Sequence, residues 1–468
     1  MTDDSGLAAV VAELNRLTSG LPPDSVLPST RQLQQRFRVS ALTAQRALAT
    51  LASRGVLVTR PGRGSYTTAR RPNVSCSDLS WQTSALGSRP GLSTDLDDLL
   101  APTPPGLLPL ASAFLDEGIQ PLGLLAAAAA RAARRPYGWS RPPAEGLEEL
   151  RAYLAGEAGS SYRADNVIVT PGGQAALAAA CRYLAAPGEP IVVESPTYIG
   201  ALVAARSAGL TTIPVPTDYH GVLPDALADA LDRSRARLVY LQPRHANPTG
   251  ATLNPERRPA VLDAINRAGA FLIEDDWVRD LDLDGPSPPP LASLDDDGHV
   301  IYLRSLTKPV AAGLRVAALV ARGPALTRLR SGRLSDDLFV APVLQHTALD
   351  VLTAPGWPRH LAGLRKALRL RRDTLAAAVA ANLPSCELHL TPAGGVHLWL
   401  RLPDGTSDSD VTAAARRQGV TVSPGHAYHP AEPPGPYLRL SYAAADPAAL
   451  QNATALLAKA LPEDRQAT

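Results

Sequence analysis

Lysine is nearly absent from this sequence: of 46 Lys plus Arg in 468 residues only Lys308, Lys366 and Lys459 are lysines, so 43 are arginines. Wherever a plain positive charge suffices the chain uses Arg. A guanidinium stays protonated and cannot attack a carbonyl, whereas a primary amine whose pKa is lowered by its surroundings can form a Schiff base. Lys366 lies in the basic stretch Arg365-Lys366-Ala367-Leu368-Arg369 and Lys459 near the end of an amphipathic C-terminal segment, so both read as solvated charges. Lys308 reads differently. Ser305-Leu306-Thr307-Lys308 follows the apolar run Val300-Ile301-Tyr302-Leu303, a predicted strand that delivers the lysine at a buried edge.

Other absences exclude whole classes. The three cysteines, Cys76, Cys181 and Cys386, stand far apart without Cys-x-x-Cys or Cys/His spacing, so the pattern points to neither a disulfide framework nor a zinc site. No basic start leads into an apolar core, and the most apolar stretch, Leu122 to Ala130, stops at Arg131, well short of the about 20 residues that span a bilayer. The expectation is a soluble protein of a reducing cytoplasm. A length of 468 residues with 45% hydrophobic residues predicts two or three domains. The net charge of +2 hides an uneven distribution, because the stretch from Leu27 to Arg71 holds nine arginines and no Asp or Glu.

Within the first seventy residues Leu7, Val10, Val11, Leu14 and Leu17 recur at helical spacing and Gly20 supplies a stop, which predicts a first helix. After Leu21-Pro22-Pro23 breaks the chain, Ser29 and Gln32 have capping-box spacing for a second helix that buries Leu33 and Phe37. Ser40 caps a third, with Leu42, Leu48 and Leu51 expected inward and Ala41, Thr43, Gln45 and Arg46 along the other side. Val56-Leu57-Val58 and Ser65-Tyr66-Thr67 read as short strands around the basic turn Arg60-Pro61-Gly62-Arg63-Gly64. Three helices and a basic hairpin make a winged helix-turn-helix, with the third helix suited to the major groove and the wing to the backbone or minor groove. Candidate DNA contacts are Arg31, Thr43, Gln45 and Arg46 in or beside that helix, and Gly62 and Arg63 in the wing. A basic helical domain that packs on another protein is the alternative.

The segments Leu27-Pro28-Ser29-Thr30-Arg31-Gln32-Leu33, Val39-Ser40, Ala47-Leu48-Ala49-Thr50-Leu51, Gly55 and Gly62-Arg63-Gly64 resemble the DNA-binding domain of the GntR family over residues 20 to 67. The resemblance implies double-stranded DNA as a partner. Ala41 departs from it, standing where the family usually carries a basic residue. From Arg70 to about Leu110 periodicity is lost among Pro72, Pro90, Pro102, Pro104, Pro105 and Pro109, which predicts a long linker. Expected boundaries are therefore a DNA-binding domain over 1–68, a flexible linker over 69–112 and a large domain over 113–468.

In the large domain short apolar strands alternate with Ala-rich helical stretches, the pattern of a mainly parallel sheet with helices on both faces. Val167-Ile168-Val169-Thr170 runs into Pro171-Gly172-Gly173-Gln174 and a helix, so backbone N–H groups at that helix start could face an anion. Further pieces follow in one order. They are Glu194-Ser195-Pro196-Thr197-Tyr198, Tyr240-Leu241-Gln242-Pro243, Arg244-His245-Ala246-Asn247-Pro248-Thr249-Gly250, Glu274-Asp275-Asp276-Trp277, Ser305 with Lys308, and Gly313-Leu314-Arg315.

This constellation, from about Ala113 to the C-terminus, resembles fold type I pyridoxal-phosphate enzymes of the aspartate aminotransferase class. The resemblance implies that Lys308 holds pyridoxal 5'-phosphate as an internal aldimine, that Asp275 keeps the pyridine nitrogen protonated, that Asn247 donates to the ring hydroxyl and that Tyr198 stacks on the ring. It assigns the phosphate to the Gly173 and Gln174 amides, Ser305 and Arg315. By the same resemblance Tyr137 reaches a neighbouring subunit's phosphate, which implies a homodimer, and Arg439 in Tyr437-Leu438-Arg439-Leu440-Ser441 clamps a substrate carboxylate. Trp277 departs from the family pattern of a tyrosine that donates to the ring hydroxyl. His245 and His397 are expected to be structural.

A GntR-like winged helix ahead of an aminotransferase-like α/β domain is similar from end to end to the MocR subfamily of transcriptional regulators. The resemblance implies a multidomain, pyridoxal-phosphate-dependent transcription factor that binds DNA as a dimer and senses the cofactor or an amine or amino acid through aldimine exchange. A working aminotransferase that carries a DNA-binding domain is the alternative. A third reading, a large domain serving only for dimerisation without cofactor, conflicts with the intact set of Lys308, Asp275, Asn247 and Arg315.

Overall fold

The computed structural model describes residues 3–60, 63–68, 79–86 and 102–461, and the chain divides into two compact units, residues 1–89 and 90–468. In the first unit α1 (Asp3–Ser19), α2 (Thr30–Phe37) and α3 (Ala41–Ser53) precede the antiparallel pair β1 (Leu57–Arg60) and β2 (Gly64–Thr67). The expected cap forms: Ser29 Oγ accepts from Gln32 N at 3.3 Å while Gln32 Oε1 accepts from Ser29 N at 2.8 Å. Arg38 then turns the chain in the left-handed region at φ 51, and Ser40 caps α3 through Thr43 N at 3.1 Å. Val10, Leu14, Leu27, Leu33, Ala44, Ala47, Leu48, Leu51 and Leu57 close one core.

Two expectations for α3 are corrected. Leu42 is 62% exposed and Thr43 only 1% exposed, the reverse of the expected sides. The cap sets the phase, because Ser40 Oγ bonds both the amide of Thr43 and its Oγ1, the latter at 2.7 Å, and Ala44, Ala47, Leu48 and Leu51 form the inner stripe at i, i+3, i+4 and i+7. Thr43 is therefore not on the face offered to a ligand. Gly62 lies outside the described residues.

The expected linker also holds structure. Ser80–Leu86 is helical, and β3 (Leu108–Pro109) pairs in parallel with β14 (Val420–Thr421), while Ser441 N donates to Leu110 O at 2.7 Å. Residues 108–112 thus belong to the large unit. Such a two-residue strand has too little periodicity to be read from sequence, since its partner lies over 300 residues away.

Eight strands form the main sheet: β4 (Val167–Thr170), β5 (Pro190–Ser195), β6 (Thr211–Asp218), β7 (Gly221–Val222), β8 (Leu238–Leu241), β9 (Phe271–Asp276), β10 (Val300–Ser305) and β11 (Ala317–Val320). Their order is β4-β11-β10-β9-β8-β5-β6-β7, with β11 antiparallel to both neighbours, β7 antiparallel to β6 and the remaining pairs parallel. Strand alternation divides the core. Val167, Val169, Val192, Val239, Val300 and Tyr302 enter one cluster, and Ile168, Ile191, Val193, Leu238, Tyr240 and Ile301 enter another, so both faces are covered.

A second sheet joins β12 (Glu387–Leu388), β13 (His397–Arg401), β16 (Tyr437–Ser441) and β15 (Ser423–Pro424) in that order, backed by the helices Trp357–Asn382 and Pro447–Ala458. In the main sheet the carboxyl ends of β4, β5, β8, β9 and β10 all lie at one edge, where open α/β sheets bind ligands.

Leu51 is fully buried in the small first core. Leu51→Ala is expected to destabilise that unit by about 2–5 kcal/mol. Differential scanning calorimetry should show one transition lowered while that of the large unit is retained.

Candidate functional site

Lys308 follows β10 by three residues and is anchored by the fully buried Leu306 before it. Its Nζ sits 4.0 Å from the centroid of the Phe114 ring. Burial and the charge of Arg439 bring its pKa down to about 7, against the opposing pull of Asp275. Near neutral pH the amine is thus poised as a nucleophile.

Asp275 projects from β9, the strand next to β10. Tyr240 Oη and the Gln242 side-chain amide both donate to its Oδ2, at 2.7 and 2.9 Å. Burial raises this carboxyl to about 6, with the charge of Asp276 adding to the rise and Lys308 resisting it. Gln242 is itself fixed, since its N donates to Glu194 Oε2 at 2.8 Å and its Oε1 accepts from Asn247 N at 2.9 Å. Sequence reasoning missed Tyr240 and Gln242 as members of the site. Positions 240 and 242 share a face under strand periodicity, but only the pairing of β8 with β9 aims them at Asp275.

An anion cradle lies beside this pair. Gly172 caps the helix Gly173–Leu184 at φ 105, and a Cβ there would lie 2.5 Å from Arg315 Nη2. Arg315, in the left-handed region at φ 52, donates from Nη2 to Pro171 O at 2.8 Å. A Cβ on Gly173 would approach Ser305 Cβ to 3.3 Å, so helix start, Ser305 and Arg315 converge. Helix dipole and guanidinium both favour an anion here. The Gln174 side chain is engaged elsewhere, donating to Gly200 O at 2.8 Å and accepting from Tyr198 Oη at 3.1 Å, which leaves its backbone amide for the cradle. Burial pushes the Tyr198 phenol up to about 12.

On the other side Arg439 of β16 donates to Asn247 Oδ1 at 3.3 Å, Ala111 O at 2.7 Å and Ser423 Oγ at 3.2 Å, and lies 5.1 Å from the Tyr428 ring centroid. Its buried Nε has no hydrogen-bond partner among the described residues. Trp277 stacks on His397 with centroids 5.4 Å apart, and the indole N–H and His397 Nε2 are likewise without partners among those residues. Burial, Arg439 and Lys308 together hold His397 far below the usual imidazole range. His245 is pinned by Asp282 at 2.8 Å and Thr252 at 3.0 Å. Tyr137 is not brought to the site within one chain and is 82% exposed.

These residues fit pyridoxal 5'-phosphate. The near-neutral amine suits its aldehyde, the buried carboxyl its ring nitrogen and the cradle its phosphate.

In the first unit α3 exposes Ala41, Leu42, Gln45, Arg46 and Ala49 on one side. Arg31 on α2 and Arg63 in the wing are exposed too, and Tyr66 Oη braces the wing by donating to Arg63 O at 2.8 Å. Arg60 is paired with Asp24 at 2.7 Å, leaving Arg63 as the forward charge of the turn.

Reaction of Lys308 with an amine-selective reagent, followed by peptide mass analysis of cofactor-free protein, should rise with pH about a midpoint near 7. Because Arg439 opposes the ammonium and Asp275 supports it, Arg439→Ala should move the midpoint up and Asp275→Asn should move it down. Midpoints unmoved by either change would contradict this electrostatic account.

The aminotransferase class I and II family profile matches residues 116–457, and that of the bacterial regulatory proteins of the gntR family matches residues 9–67. The 2-aminoadipate transaminase of Thermus thermophilus is 31% identical over 362 residues, covering 76% of this chain and 90% of its own. The HTH-type transcriptional regulator TauR of Rhodobacter capsulatus is 27% identical over 471 residues, covering 95% of this chain and 94% of its own. Among solved structures, LysN, the alpha-aminoadipate aminotransferase of Thermus thermophilus complexed with N-(5'-phosphopyridoxyl)-L-leucine, aligns with a TM-score of 0.75 at 30% identity, over 82% of this chain and 98% of that one. The chain belongs to the aminotransferase class I and II family and carries a GntR-family domain ahead of that fold, the architecture of the MocR regulators.

Proposed function

We propose that this protein is a pyridoxal-phosphate-dependent transcriptional regulator that binds operator DNA as a homodimer and responds to the cofactor or to an amine or amino acid. The observation that carries the reading is the presence in one chain of a basic winged helix and a site built around a near-neutral lysine, in a sequence similar over nearly its whole length to a transcriptional regulator. Lys308 would hold the cofactor covalently, Asp275 would face its ring nitrogen, Asn247 its ring hydroxyl and Tyr198 its ring face. The Gly173 and Gln174 amides, Ser305 and Arg315 would hold its phosphate. Tyr137, exposed in a single chain, would complete the phosphate site of a second copy.

Bound there, pyridoxal 5'-phosphate supplies a carbonyl for amines and an electron-drawing ring. The protein's part is to choose the amine and to register its arrival. An incoming amine that took the place of Lys308 would leave its Nζ free to hold or pass a proton, and a carboxylate on the same molecule would engage Arg439, whose Nε has no partner among the described residues. Arg439 also holds Ala111 O, and Lys308 lies against Phe114, so both effector contacts fall on the segment that leads from the linker into the large unit. A ligand that binds two arrangements of this segment unequally would shift the spacing of two DNA-binding units and their fit to paired half-sites. A working aminotransferase remains the rival reading, favoured by the intact Lys308, Asp275 and Arg439.

Purified protein is expected to be yellow, and borohydride should fix the cofactor to the Lys308 peptide, with both signals lost in Lys308→Ala. DNA affinity should fall with salt, with a log–log slope of about −0.9 per neutralised phosphate.

In paired titrations the operator must change effector affinity by the same factor as the effector changes operator affinity. Arg439→Ala should remove the response to amines that bear a carboxylate while retaining the cofactor. Fast multiple turnover in a transaminase assay, with DNA binding indifferent to cofactor and amines, would favour the rival.

A further inference from the structure

The face that α3 presents is unusual in its chemistry. Its exposed residues are Ala41, Leu42, Gln45, Arg46 and Ala49, and on a helix advancing about 100° per residue they share one arc with Leu42 and Ala49 at its middle. Leu42 is 62% exposed there, while the opposite stripe of Ala44, Ala47, Leu48 and Leu51 serves the core. An isolated surface leucine needs no explanation. This one stands at the centre of the face that would enter the groove, in a stretch with nine arginines and no acid between Leu27 and Arg71, which makes a polyanion the fitting occupant.

Base edges in the major groove offer hydrogen-bonding groups and one apolar group, the 5-methyl of thymine. Neither Leu42 nor Ala41 nor Ala49 has a side-chain hydrogen-bonding group, so the only base feature they can favour is that methyl. Gln45, one turn from Ala41 on the same arc, carries the donor and acceptor pair suited to adenine. The two chemistries agree, since an A·T pair presents adenine to Gln45 and a thymine methyl to Leu42.

We propose that Leu42 reads thymine 5-methyl groups in the major groove, so that each operator half-site carries A·T pairs opposite the N-terminal half of α3. Arg46 and the wing then contribute backbone or guanine contacts around this apolar centre. The inference rests on the DNA-binding reading above and deepens it from duplex DNA to a base-level preference.

The test uses full-length protein with its cofactor and duplexes selected from a random-sequence pool. Each thymine of the selected duplex is replaced in turn by deoxyuridine, which removes only the methyl, and affinity is followed by fluorescence anisotropy at fixed salt. One or two replacements in each half-site are expected to weaken binding about fourfold each, the effect of one buried methyl. Leu42→Ala should lower affinity for the thymine duplex, narrow its difference from the deoxyuridine duplex and keep the salt slope, whereas Gln45→Ala should keep the discrimination. Equal binding of thymine and deoxyuridine duplexes by the unaltered protein, or undiminished discrimination by Leu42→Ala, overturns the inference and leaves DNA binding standing. Failure to select any duplex at low salt overturns both.

Discussion

The opposition of Arg439 and Asp275 across the amine of Lys308 is the interaction on which the large unit turns. One neighbour pushes the proton off the amine and the other pulls it back, and burial settles the balance near pH 7. Each comes from a different layer. Asp275 lies near the carboxyl end of a strand of the main sheet, Lys308 follows the adjacent strand, and Arg439 belongs to the second sheet. The balance therefore exists only when both sheets are assembled, which ties the chemistry of one amine to the packing of the whole unit.

Burial sets the terms for the acids as well. Glu194 and Glu274 are each raised to about 7 although both accept backbone N–H bonds, and Asp275 is raised to about 6 with only neutral donors on its Oδ2. An acid whose pKa is higher in the folded chain than in the unfolded one withdraws stability as pH rises, here through the window from about 4 to about 6 for Asp275. Ionising the buried Asp275 carboxyl at neutral pH therefore costs the fold roughly 3 kcal/mol. In the proposed reading a cationic ring nitrogen against Asp275 would offset that loss, so the burial that raises this carboxyl would favour a cationic ligand there.

Lys308 stood out because composition isolated it, and the glycine turn after β4 because two glycines between a strand and a helix mark a local backbone geometry, whereas Ser305 and Arg315 were named through the family resemblance alone. The capping box at Ser29 and Gln32 was equally local, and it formed. What escaped were features set by phase or by distant pairing. Leu42 and Thr43 exchanged sides because a single cap bond fixes where the inner stripe of α3 begins. Tyr240 and Gln242 meet Asp275 through strand order, and Ala111 meets Arg439 across more than 300 residues, neither of which leaves a periodic trace.

The contacts of that last segment bound how strongly an effector can act. A charge-assisted hydrogen bond contributes about 1.5–3 kcal/mol, so one carboxylate that draws Arg439 from Ala111 shifts the balance of two arrangements by roughly ten- to a hundredfold. Turning a population from 1:99 to 99:1 needs about 10⁴-fold, or about 5.5 kcal/mol. A single site falls short of that. In the proposed homodimer reading paired half-sites the two contacts would act on one DNA-bound geometry, and their sum would approach the required value. A sharp response would then need the dimer, and one chain responding alone would give a graded one.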